Sequence, residues 1–157
     1  MGFTEDYVYT GETNDTIYHA GFRFRNIAIP QGYPIRWAIL YLYMTDAICS
    51  DPYVVRYAKV YGEAADDSDA FDVSLPSTRD LTVAYGNYNL RCGGSARWWW
   101  SYPTIAIQEI VDRPGWVAGN ALSIIIAGYL GQSGDGRQEI KAFERASTRN
   151  AKLEINW

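Results

Sequence analysis

Apolar and polar side chains alternate with period two along most of the chain, the signature of strands that turn one face to a core and the other outward. AGFRFRNIAI sets Phe22 and Phe24 against Arg23 and Arg25. PIRWAILYLYM is the longest such run, with Ile35, Trp37, Ile39, Tyr41 and Tyr43 on one side and Leu40 and Leu42 on the other. VVRYAKVYGE opposes Val55, Tyr57, Lys59 and Tyr61 to Val54, Arg56, Ala58 and Val60. YVYTG at 7–11, LTVAYG, NALSIIIAGYL, QEIKAFERA and the closing AKLEINW complete the set. Between them Pro30–Gly32 reads as a turn, and CSDPY, AADDSDAFD and GQSGDGR read as loops. NYNLRCGGSARWWWSY reads as a glycine-containing loop that ends in Trp98, Trp99 and Trp100.

The period changes once. In PTIAIQEIVDRPGW, Ile107, Ile110 and Val111 share a helical face while Gln108, Glu109 and Asp112 point away from it. Pro103 suits a first turn, and Pro114 with Gly115 stops the element, which predicts one short helix over 104–113. About eight short strands and one helix predict an all-β chain, an antiparallel β-sandwich with jelly-roll or Greek-key connections. No repeat or linker divides it, so residues 1–157 are expected to form one domain.

Composition sharpens this in two ways. Thirteen Tyr, six Trp and five Phe make up 15% of the chain, an excess that suits strands and contact surfaces. The net charge of -4, without any basic run, argues against nucleic acid as a partner. No stretch reaches the roughly 18 apolar residues of a membrane-spanning helix, and no membrane partner is expected. The first fifteen residues carry neither a basic n-region nor an apolar h-region, so synthesis in the cytoplasm without a signal peptide is expected. Cys49 and Cys92 lack the neighbours of a zinc site. They are two thiols or one disulfide, a bridge that would stabilise by about 4 kcal/mol in the loop-entropy model.

The order GFRFRNIAIPQG, a strand ending in VYGE, then IAIQEIVDRPGWVAGNALSIII and a closing KLEINW resembles a family of β-sandwich modules of bacterial extracellular proteins and bacteriophage virion proteins. Those modules are similar in fold to jelly-roll carbohydrate-binding modules. The resemblance spans nearly the whole chain and is most specific at QEIVDRPGW followed by GNAL. It implies that Pro30–Gly32 turn the chain, that Trp116 covers a core edge, and that Gly119 and Asn120 reverse the chain into a buried strand. It implies no catalytic position. The WWWSY run and the two cysteines depart from the family pattern.

Several residues are candidates for contact. Period two sends Trp99 opposite to Trp98 and Trp100; with Tyr102 these rings are core and edge residues, an interface with another protein, or a platform for glycans. Arg23 and Arg25 form either a solvated row of cross-strand ion pairs or an interface stripe. Glu63, Asp66, Asp67 and Asp69 (with Asp72 beyond them) are either a solvated acidic loop or the oxygen ligands of one structural calcium, and no other cofactor is expected. His19 is the chain's one histidine and has no nucleophile motif near it, so no enzyme activity is expected.

The expectation is therefore a structural protein of a virion, a capsid decoration or a tail or fibre component. It would act in the virion or outside the cell, hold capsid or tail proteins through aromatic and Arg-rich surfaces, and pair with itself as a homo-oligomer such as a trimer. The alternatives are a carbohydrate-binding module or receptor-recognition domain, and a subunit of an extracellular filament.

Overall fold

The computed structural model describes residues 7–14, 16–49, 56–72, 75–90, 96–128, 136–141 and 149–157. Among them are nine strands: β1 (Tyr7–Thr13), β2 (Thr16–Phe24), β3 (Trp37–Cys49), β4 (Arg56–Glu63), β5 (Leu81–Leu90), β6 (Arg97–Ser101), β7 (Leu122–Ala127), β8 (Gly136–Lys141) and β9 (Lys152–Asn156). One helix, α1 (Thr104–Val111), lies between β6 and β7. The protein is all-β with one short helix.

Every pairing is antiparallel. The strands follow one hydrogen-bonded path, β5-β4-β7-β2-β1-β8-β3-β6, and β9 adds to β3. The path curls until its two end strands approach. Ser101 Oγ donates to Asn87 O at 3.0 Å, and a Cβ at Gly86 would lie 2.6 Å from the Tyr102 carbonyl oxygen. Only glycine admits that approach.

The alternation read from the sequence becomes the core. Ala20 and Phe22 of β2, Ala38, Leu40 and Leu42 of β3, Ala58 and Val60 of β4, and Leu122, Ile124 and Ile126 of β7 form one buried cluster. Helix α1 contributes Ile107, Ile110 and Val111 to it, as its spacing predicts. The polar side of that helix behaves differently from a solvated face. Glu109 accepts from Val83 N and Ala84 N, at 2.9 and 2.7 Å, and so occupies the edge of β5. Gln108 accepts from Ile35 N and donates to the Tyr33 carbonyl, and Thr104 Oγ1 accepts from Ala38 N. The helix is laced to β5, to β3 and to the segment leading into β3 by side chains that satisfy backbone groups there.

The segment after the helix is equally committed. Trp116 is 2% exposed and sits in the core, not over its edge, with its indole N–H donating to Ile29 O at 2.9 Å. Gly119 N donates to Ile27 O, and Ile27 N to Asn120 O, before the chain enters β7. Two strands are longer than their patterns suggest. β5 runs through NYNL to Leu90, and β3 runs through TDAIC to Cys49. β2 ends earlier, at Phe24, with Asn26 in the left-handed region at φ 58°. Cys49 is disulfide-bonded; Cys92 lies outside the described residues. So do Val54 and Val55, and residues 142–146 of the expected QEIKAFERA strand.

Candidate functional site

The two halves of the curled sheet have different outer faces. In the half β5-β4-β7-β2, all six residues of β7 are buried, including outward-pointing Ser123 and Ile125. Residues 64–72 and 75–80 lie over them. Phe71 and Pro76 fill the space above Gly21, where a Cβ would meet the Phe71 ring at 2.5 Å.

Arg79 holds this cover down from within. It pairs with Glu63 at 2.8 Å, donates to the Asp69 and Ala70 carbonyls, and lies 4.5 Å from the Phe71 ring centroid. Ser68 donates to Glu63 and shares a hydrogen bond with Ser123. Arg23 donates through Nε to Ser68 O at 2.7 Å, whereas Arg25 lies beyond the end of β2 and is exposed. The two arginines therefore do not form one row.

The acidic loop is built into the same cover. Asp66 pairs with Arg113 at 2.6 Å, Asp67 accepts from Ala121 N, and Glu63 faces Arg79. Among the described residues no group of three His, Cys, Asp or Glu side chains is placed to hold a metal ion. The carboxylates of Glu63, Asp66 and Asp67 turn to separate protein partners instead of converging, and Asp69 contributes its backbone carbonyl to Arg79.

The outer face of β3, β6 and β9 carries no such cover among the described residues. Register places Tyr43 opposite Trp98, and Tyr41 opposite both Trp100 and Lys152. Ile39 lies opposite Glu154, and Trp37 opposite Asn156. Trp99, between its two neighbours, turns inward and packs against the core. One end of this face is already capped. Tyr43 and Trp98 meet edge to face at 5.4 Å, with Arg149 4.5 Å over Tyr43 and Lys152 5.3 Å over Trp98.

Among the described residues, no cation lies over the other outer rings of this face. Trp100 is 55% exposed, Tyr102 57% and Trp37 42%. Tyr41 OH donates to Glu154 at 3.3 Å. Partial desolvation, then the Glu154 carboxylate, hold the Tyr41 phenol above its usual range, and neighbouring Tyr102 adds to this. The arrangement offers hydrophobic ring faces interleaved with a carboxylate, an ammonium, an amide and a phenol.

The sequence singles out Trp98, Trp100 and Tyr102, and their places follow from period two. Trp37, Tyr41, Lys152 and Glu154 complete the face, and only register shows it. The alternation of PIRWAILYLYM puts Trp37 and Tyr41 on one side, yet nothing in the sequence says that β6 and β9 flank them. A smaller cleft between Tyr9, Asp46, Arg137 and Glu139 has room for little more than one water. His19 lies on the outward side of β2, opposite Ala127, and burial lowers its pKa. Compared with known proteins, the chain matches no family model, and no curated protein is similar to it in sequence.

Proposed function

We propose that the protein is a non-enzymatic structural module of a virion or similar extracellular assembly, of the tail or fibre kind, and that the outer face of β3, β6 and β9 is the surface it offers to a partner. The observation that carries this reading is the exposure of Trp100 and Trp37 on one strand register, with exposed Tyr102 beside Tyr41. Large rings left in water cost hydrophobic free energy that a bound partner recovers, and such rings dominate contact energetics. The sequence resemblance to virion and extracellular modules supports the class of assembly.

The test is retention. The domain is immobilised and presented with purified phage particles and, separately, with the insoluble envelope fraction of bacterial cells. Retention on one of them is expected, and a Trp100→Ala/Tyr102→Ala variant with unchanged melting should lose it. Retention on neither, or retention indifferent to the variant, overturns the reading.

A further inference from the structure

Resting on that reading of the same face, we infer that its occupant is a neutral, extended oligosaccharide lying along β3. Three observations separate this ligand from the others that exposed rings can take.

The first is the charge in the middle of the face. Exposed Lys152 stands in the Tyr41 row together with Trp100, and exposed Glu154 stands opposite Ile39, between the Trp100 and Trp37 rows. The cores of protein interfaces are depleted of Lys and Glu, because a dry contact leaves those groups desolvated. Sugar hydroxyls instead donate to the Glu154 carboxylate and Tyr41 oxygen and accept from the Lys152 ammonium. The apolar C–H face of a pyranose meanwhile rests on an indole or phenol ring.

The second is the sign of the charge. Lys152 and Arg149 already lie against Trp98 and Tyr43, Glu154 is exposed beside the uncapped rings, and the chain carries a net charge of -4. Two cations and one carboxylate largely offset one another on this face. It therefore lacks the one-signed cluster that would recruit a polyanionic or polycationic chain, and a neutral one suits it.

The third is length. Tyr41 and Trp37, whose rows carry the two exposed tryptophans, are four residues apart on β3, which is ~13 Å at ~3.3 Å per residue. That span exceeds what one sugar ring can touch.

The experiment uses the full chain and neutral hexasaccharides of β-1,4-glucose, β-1,4-N-acetylglucosamine and α-1,4-glucose, with the matching disaccharides, titrated by calorimetry and tryptophan fluorescence. At least one hexasaccharide is expected to bind. Trp100→Ala should weaken it about ten-fold and Trp100→Tyr should keep most of it. Trp37→Ala should weaken the hexasaccharide but not the disaccharide, since only the longer chain reaches both rows. Tyr57→Ala, on β4, should change nothing. No binding at millimolar sugar, while retention on particles or envelope still depends on Trp100, overturns the oligosaccharide and leaves a protein occupant with the docking face intact. Sugar binding indifferent to both tryptophans overturns it as well. Retention without any dependence on Trp100 removes the docking face itself.

Discussion

The two outer faces of the curled sheet start from the same alternation and end differently. β7 lies under residues 64–72 and 75–80 and is buried on both sides, so that an outward isoleucine, Ile125, is fully enclosed. β3 keeps its outward Trp37, Ile39 and Tyr41 without such a cover among the described residues, while Tyr43 at the far end is buried against Trp98 and Arg149. The cover is held by a buried arginine with a carboxylate, two carbonyls and a ring around it. On the other face, cations also meet rings, but Lys152 and Arg149 do so as part of the surface. A guanidinium under a loop closes a face; cations on the rings of an open sheet only trim its edge. A face that is closed serves stability, and one that is left open is available for contact.

The largest effect should come from breaking the cover. Arg79→Met leaves Glu63 buried beside Ser68 without its cation, and a loss of about 3–5 kcal/mol is expected in urea unfolding. A loss below 1 kcal/mol would mean that the segment is held by something other than this pair. The Glu63→Leu/Arg79→Leu double variant should recover much of the loss, since no charge is then stranded.

The tryptophan triplet sharpens the same contrast within three residues. Trp99→Ala removes a ring packed on the core. It should cost somewhat less than the ~3–5 kcal/mol of a fully buried ring, because Trp99 is only partly enclosed. Trp100→Ala should stay within about 0.5 kcal/mol. Equal effects in thermal or chemical unfolding would contradict the inward and outward assignment.

Glu109→Ala tests whether the sheet's end is guarded. It frees Val83 N and Ala84 N on β5, and about 1–3 kcal/mol is expected from two charge-assisted hydrogen bonds at a partly exposed site. Analytical ultracentrifugation should also show more self-association as the edge opens. An unchanged monomer fraction would leave the carboxylate with a local role alone.

The smallest effect concerns His19, on the outward side of the covered half. Burial holds its native pKa below the ordinary 6.5. As pH falls through 6.5, the unfolded chain takes up a proton before the native one does. Stability should therefore decline from there down to the lowered native value and then level off. His19→Gln should remove that slope, and its persistence would assign the slope to other groups.

Much of this architecture is legible in the chain. Period two predicts β2, β3, β4 and β9 and puts Leu40 with Leu42, Ala58 with Val60 and Phe22 with Phe24 on shared faces; packing shows which faces are inward. Period 3.6 between two prolines predicts α1. These readings work because they depend on neighbours within a few residues. The end of β2 at Phe24 and the continuation of β3 through TDAIC were hidden, because strand ends depend on where a partner strand stops.

The sequence by itself determined which side chains share a face, including the turn of Trp99 away from Trp98 and Trp100, since backbone geometry alone alternates them. Only the tertiary structure decided which faces are covered. Arg79 meets Glu63 across sixteen residues, and Glu109 reaches the edge of β5 across twenty-five. Lys152 and Glu154 join Tyr41 on β3 from the far end of the chain. Those meetings follow from strand order and register, which no local pattern encodes, and they leave the aromatic face open.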